Sequence, residues 1–167
     1  AEGYSYDTAQ ASFEVLARRE LGLCPEFFDV KRYKVSVERR KNKYNRMVSL
    51  SEAVVVVRIN GEKKMSVSES MDELGNDRGP VNALSKALAK DLGPYQKMID
   101  DMSLVDYKVR ITQGGTEAVT RVVIDCEDSK GRCWSTVGVS ANIVDASFEA
   151  LLDAINWKLI RDTGQRA

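Results

Sequence analysis

Histidine is absent from this 167-residue chain. Its absence removes Ser-His-Asp and Cys-His nucleophile systems, imidazole acid–base chemistry and most zinc sites, and so argues against an enzyme active site here. Cysteine is scarce and odd in number, at three. An odd, small set points to free thiols in a reducing, cytoplasmic compartment rather than a disulfide framework. Cys126 and Cys133 flank a predicted turn, and both they and Cys24 read as small structural thiols. Net charge is also missing, with 25 basic and 25 acidic residues. That balance disfavours nucleic acid and anionic membrane as partners. The longest apolar run, around Ala53 to Val57, falls far short of a membrane span, and the first residues show no secretory signal.

What remains is ordinary globular material, 43% hydrophobic and 30% charged, and within it lies a repeat. Pro80-Val81-Asn82-Ala83-Leu84-Ser85-Lys86-Ala87-Leu88 aligns with Ile143-Val144-Asp145-Ala146-Ser147-Phe148-Glu149-Ala150-Leu151. Upstream, Tyr33-Lys34-Val35-Ser36-Val37 matches Tyr107-Lys108-Val109-Arg110-Ile111. Each copy reads as three extended segments and a helix. The fold class is therefore α+β, with duplicated βββα units packed about a pseudo-twofold axis and preceded by an N-terminal helix. Residues 1–25 form a linker segment, 26–95 the first unit, 96–104 a connector and 105–167 the second unit.

Local signals place the elements. In the linker, Asp7 is a cap with Gln10 as its box partner. Ala9, Phe13, Leu16, Ala17 and Leu21 form the apolar stripe, and Gly22 is the stop. Tyr33, Val35 and Val37 alternate with polar residues as a strand requires. Residues 39–50 are basic and polar and read as a long hairpin connection. Val54 to Ile59 is a central strand, Asn60-Gly61 a two-residue hairpin turn, and Lys63 to Ser68 the third strand. The loop Met71 to Gly79 leads to Pro80 at a first helical position. Val81, Leu84, Leu88 and Leu92 are the buried stripe, before Gly93-Pro94. In the second unit Gly114-Gly115 turns, Ala118 to Cys126 is the middle strand and Glu127 to Gly131 a loop. Cys133 to Val139 follows, then Ser140 or Asn142 caps a helix with Val144, Phe148, Leu151, Leu152, Ile155 and Leu159 inward. Trp134 and Trp157 read as core or interface anchors. The chain begins with Ala1, and a lone helix ahead of the repeat is expected to be the end of something larger.

Binding chemistry concentrates at the two strand-to-helix turns. A helix start offers unpartnered amides and a positive dipole end to a carboxylate. The segment Asn76-Asp77-Arg78-Gly79-Pro80-Val81-Asn82-Ala83-Leu84 supplies one, with glycine allowing close backbone approach. Gly114-Gly115-Thr116-Glu117-Ala118 is a second candidate, and there a plain hairpin turn reads equally well. The basic run from Lys31 to Arg46 and the helix, three-strand, helix order fit a double-stranded-RNA-binding module. Neither helix start is basic, so a solvated surface is the better reading. The carboxylates Glu69, Asp72, Glu73 and Asp77 match no calcium-loop spacing, and no metal is assigned.

Longer stretches resemble a known family. Gly3-Tyr4 followed by Ala11-Ser12-Phe13-Glu14-Val15-Leu16-Ala17-Arg18-Arg19 resembles the linker helix that precedes the regulatory domain of citramalate synthases. Tyr107 to Ile111, Gly115 to Val122 and Trp134 to Ser147 look like the signature of that domain. It is shared with 2-isopropylmalate synthases, as is Gly-Pro-Val-Asn-Ala at 79–83. This chain departs from the usual Gly-Asn-Gly-Pro by inserting Asp77-Arg78 between Asn76 and Gly79.

The resemblance implies an allosteric, homodimerising domain without a catalytic site. In such enzymes an N-terminal (β/α)8 barrel, absent here, uses a divalent metal and acetyl-CoA. An end-product amino acid binds the regulatory domain and inhibits the barrel: isoleucine in citramalate synthases, which condense acetyl-CoA with pyruvate, and leucine in 2-isopropylmalate synthases. The linker favours isoleucine. No cofactor is expected in this chain itself. Carried over, the effector site comprises Asn76, Asp77, Gly79, Pro80, Val81, Asn82, Leu84, Thr116, Ala118, Thr120, Ser140, Asn142 and Ile143. Backbone amides would take the carboxylate, and carbonyls or Asn and Asp side chains the ammonium. The alternatives are a leucine-binding domain, or an oligomerisation module with no effector.

Overall fold

The computed structural model describes residues 9–72, 79–111 and 118–164. It is an α+β fold in which βββα occurs twice, with a helix ahead of the first copy. The chain divides into two compact units, Phe28–Gln96 and Ala1–Phe27 with Lys97–Ala167.

The first unit pairs β1 (Asp29–Lys41), β2 (Met47–Ile59) and β3 (Glu62–Asp72) in that order, all antiparallel, and covers one face with α2 (Gly79–Ala89). Ala53, Val55, Val57 and Ile59 point under α2 and are buried. Val81, Leu84 and Leu88 on the helix meet them, with Leu92 just beyond it. Asn60 and Gly61 both have positive φ, 51° and 86°, the left-handed pair that a twisted two-residue hairpin needs.

Residues 39–50 are not the long connection their polarity suggests. β1 runs to Lys41 and β2 starts at Met47, leaving a tight turn. Asn42 makes it tight. Its side-chain oxygen accepts from Tyr44 N at 2.9 Å and Arg46 N at 3.1 Å, and Asn45 takes φ 59°. An Asx-type turn of this kind closes the hairpin whatever the flanking charge. The basic residues Arg39, Arg40, Lys41, Lys43 and Arg46 all face water.

β3 reverses the usual pattern. Its serines Ser66 and Ser70 are buried on the helix side, whereas Met65 and Val67 on the other face are 66% and 38% exposed.

The second unit pairs β4 (Ser103–Ile111), β5 (Thr120–Glu127) and β6 (Cys133–Ser140) in order, covered by α4 (Ile143–Asp162). The short α3 (Gln96–Ile99) precedes β4. Phe148, Leu151, Ile155 and Leu159 are fully or almost fully buried, each contributing roughly 1.5–3 kcal/mol as an upper bound. Val144 and Leu152, placed in the same stripe from sequence, are only half-buried. The β5 strand begins at Thr120 rather than Ala118. Cys126 is buried opposite Trp134 while Cys133 is exposed opposite Glu127, so the two thiols sit in different rungs and all three cysteines are free.

Helix α1 (Gln10–Glu20) belongs to this second unit, against β6 and α4. Its buried face is Ala11, Ser12 and Val15. Phe13, Leu16 and Leu21, expected inward, are 56%, 40% and 71% exposed. The reason is what α1 packs on. β6 is an edge strand, and α1 lies along that edge, where only small residues allow close approach. Ser12 Oγ accepts from Val137 N at 2.9 Å and lies 3.4 Å from Val137 O, so the hydroxyl satisfies the free edge N–H and sits beside the edge carbonyl. The helix is preceded by Ala9 with no side-chain cap; Asp7 lies outside the described residues.

Candidate functional site

The strand registers bring the same set of side chains together in each unit. In the first, Val37 pairs with Ser51 and Ser51 with Ser70, one row across the sheet. In the second, Ile111 pairs with Thr120 and Thr120 with Ser140. Each row is a branched aliphatic residue followed by two hydroxyls, and each ends where the covering helix begins. Val37 and Ile111 are 53% and 71% exposed. Ser51 and Ser70 are buried, at 1% and 4% exposed, whereas Thr120 and Ser140 are half-buried, so the hydroxyls reach the surface in the second row only.

The two helix starts differ in charge. At α2, Gly79 has φ 49°, and a Cβ built there would lie 3.7 Å from Ser51 Oγ. Pro80 follows, and Asn82 Nδ2 donates to Ser70 Oγ at 3.3 Å. No acidic residue occupies the first turn of α2, so nothing within that turn opposes an anion at its dipole end. At α4, Asn142 is the cap: its Oδ1 accepts from Val144 N at 2.8 Å, and its own N–H donates to Ser140 Oγ at 3.1 Å. Asp145 adds a negative charge to that first turn. The α4 start therefore has its Val144 amide capped and a carboxylate already placed against its dipole end.

Of the residues anticipated from sequence, Gly79, Pro80 and Asn82 lie together at the α2 start, and Thr120, Ser140, Asn142 and Ile143 at the α4 start. Ala118 precedes β5 and is half-buried. Val81 is 7% exposed and Leu84 is fully buried, so Leu84 packs the core beneath α2 rather than facing outward. Asn76, Asp77 and Thr116 lie outside the described residues. Sequence reading missed Val37, Ser51 and Ser70, and Ile111 as a site residue. Their signal is the register: once Tyr33–Val37 is matched to Tyr107–Ile111, the partner strands supply hydroxyls at equivalent rungs.

A separate groove of about 590 Å³ opens in the second unit between Gln10 and Glu14 of α1, Val105 of β4, Trp134 of β6, and Trp157 and Arg161 of α4. None of the anticipated site residues lines it. Trp134 and Trp157 stack there with centroids 4.9 Å apart. Trp157 Nε1 donates to Glu14 Oε2 at 2.9 Å, and the Arg161 guanidinium reaches the same oxygen at 2.7 Å. Higher on α4, Asp153 pairs with Arg19 of α1 at 3.2 Å. Burial drives the Asp153 carboxyl up to about 6, against the opposing pull of Arg19 and a hydrogen bond from Ser12. These contacts fasten α1 to the body of its unit.

At the far end of α4 the Lys158 ammonium, 1% exposed, meets Asp101, Asp128 and Asp162 at 3.0, 2.9 and 2.8 Å. Burial alone would raise the Asp128 carboxyl, but hydrogen bonds from Lys158 and Arg132 hold it far below the usual carboxylate range. Asp128 Oδ1 also accepts from Lys130 N and Arg132 N, so the network ties the β5–β6 hairpin to the helix. It is structural in arrangement, every charge being matched. Among the described residues no cluster of three or more metal-ligating side chains occurs, and no helix is long and apolar enough to cross a membrane.

Comparison with known proteins adds the family. Residues 7–159 match the model of the LeuA allosteric (dimerisation) domain. The chain is 40% identical over 163 residues to an (R)-citramalate synthase of Aquifex aeolicus, covering 96% of this chain and 29% of that protein. It is 42% identical over 159 residues to an (R)-citramalate synthase of Geobacter sulfurreducens, covering 94% and 28%. A 2-isopropylmalate synthase of Clostridium kluyveri is 33% identical over 150 residues, 90% of this chain and 25% of that protein. The chain thus spans little more than a quarter of the length of these relatives. With βββα written twice and a match across nearly its whole length, this chain belongs to the LeuA allosteric (dimerisation) domain family.

Proposed function

We propose that this chain is the effector-sensing, dimerising part of a citramalate synthase, and that its effector is isoleucine. The observation that carries the reading is the pair of equivalent rows, Val37–Ser51–Ser70 and Ile111–Thr120–Ser140, each beside a helix start. Their exposed branches suit a branched aliphatic side chain. Beside each row the helix start of the same unit supplies polar partners for the amino acid's charged groups, the Gly79 backbone and Asn82 at α2 and Asn142 at α4. The (R)-citramalate synthase relatives, at 40% and 42% identity against 33% for the 2-isopropylmalate synthase, support isoleucine over leucine. The outward-facing Met65 and Val67 of β3 support association with a second copy, since exposed apolar residues of this kind are ordinarily covered. In the longer polypeptide the catalytic portion, with its divalent metal and acetyl-CoA, would be the recipient of the signal. Such control requires only that isoleucine bind one arrangement better than another.

Isothermal titration of this chain with isoleucine, leucine and valine tests the proposal. Isoleucine is expected to bind tightest, by roughly 10–200-fold, the range available from the placement of one methyl group. Tighter binding of leucine would reassign the chain to the 2-isopropylmalate branch. Absence of heat with all three would leave only oligomerisation.

A further inference from the structure

We infer that Gly138 is the contact through which the α4 start is mechanically linked to α1, along the route Asn142, Ala146, Gly138, Val137, Ser12. Every member lies in the second unit. Asn142 O accepts from Ala146 N at 2.9 Å and its side chain from Val144 N at 2.8 Å, so the cap holds the turn that carries Ala146. The Ala146 carbonyl, in the next peptide group, rests on Gly138 with no clearance: a Cβ built at Gly138 would fall 1.8 Å from Ala146 O and 2.8 Å from Ala146 C. The next residue back, Val137, presents its N–H and C=O to Ser12 of α1.

A close-packed interior transmits displacement because it has no slack to absorb it. With backbone seated directly on backbone, a shift of the first turn of α4 moves β6 at Gly138. The adjoining Val137 amide then changes its distance from Ser12. The direct ties between α1 and α4, from Arg19 and Ser12 to Asp153 and from Glu14 to Trp157 and Arg161, reach later turns of α4. None of these ties is to the first turn, which reaches α1 by way of β6. The purpose of the route rests on the effector reading, because it gives a ligand at Asn142 a way to alter the seating of α1. Its existence as a coupling does not depend on that reading.

Hydrogen exchange of the whole chain, followed at the Val137 amide, tests the link in two arms. In the first, Asn142→Ala loosens the α4 cap without touching Ser12 or Val137. Thr163→Ala, which removes the Oγ1 bond to Leu159 O at the other end of α4, is the control. The route requires Val137 exchange to quicken about 5-fold or more in the cap variant beyond the change shared with core amides, and not in the control. Equal behaviour in the two variants overturns it. The second arm adds isoleucine, with calorimetry in parallel. Heat of binding with altered protection at Val137 and along α1 supports the route. Heat without that change overturns the route and leaves the effector reading standing. No heat overturns the effector reading, and the cap arm alone then decides the route.

Discussion

The Lys158 ammonium lies 2.9 Å from Asp128 Oδ2, with 1% and 0% of the two side chains exposed to water. A charge so placed is tolerable only while paired. Lys158→Met removes the buried cation shared by Asp101, Asp128 and Asp162, leaving Arg132 alone to serve Asp128, and should cost about 3–5 kcal/mol, read as a lower urea midpoint. Asp128 has a folded value held below its unfolded one. Its contribution is therefore present above the unfolded carboxylate value, near pH 4, and lost as pH falls below it. In Lys158→Met that acid-side loss should shrink.

Asp153 works in the opposite sense. Its carboxyl is raised to about 6 on folding, so the folded chain binds the extra proton between about pH 4 and 6. Stability from this group is complete at the acid end of that window and declines as pH rises through it. Asp153→Asn should flatten the slope and raise stability at pH 7 by about 1–2 kcal/mol, the lost Arg19 pair being solvent-screened. Denaturant melts at pH 4.5 and 7 in the two proteins would show it. A variant less stable at both values would contradict the assignment.

Gly138→Ala places a methyl group where Ala146 O already sits, 1.8 Å from the built Cβ. Helix and strand must separate, at a cost of about 1–3 kcal/mol or more. A thermal melt at wild-type temperature would mean that α4 yields freely at this point.

Gly79 separates a binding role from a turn role. Its φ of 49° strains any β-branched residue, although the space beside Ser51 would admit a Cβ. Gly79→Val should cost about 1–3 kcal/mol, which confounds its effect on binding. Asparagine tolerates the left-handed region. Gly79→Asn should keep its melting temperature within a few degrees and lose isoleucine affinity by at least about tenfold, one lost charge-assisted hydrogen bond's worth. Unaltered affinity in a folded Gly79→Asn protein would remove the α2 start from the site.

How much of this was legible in the sequence depends on what each residue packs against. Alternation at Tyr33–Val37 and Tyr107–Ile111, Asn60-Gly61 and the helical stripe of α4 report directly on local backbone and burial, and they located their elements. The outer thirds of β1 and β2 escaped because Arg39, Arg40 and Lys41 face solvent, and polar composition there is a property of exposure, not of a loop. The orientation of α1 was misread for a different reason. Helical periodicity selects the largest apolar residues, whereas a strand edge accepts Ala11, Ser12 and Val15 and leaves Phe13 and Leu16 outside. The helix starts were visible as Pro80 and Asn142, but the hydroxyl rows beneath them needed strand register, which pairs residues far apart in the chain. Gly138 gave no signal beyond being a glycine in a strand.

The hydroxyl of Ser12 has one more consequence. While it engages Val137, the outer border of β6 cannot recruit a neighbouring chain. A shortened protein starting after Leu23 would uncover that border as a template for strand addition and should precipitate or form higher assemblies at concentrations where the longer form stays dispersed. For preparative work, α1 is therefore as necessary as the sheet it shields.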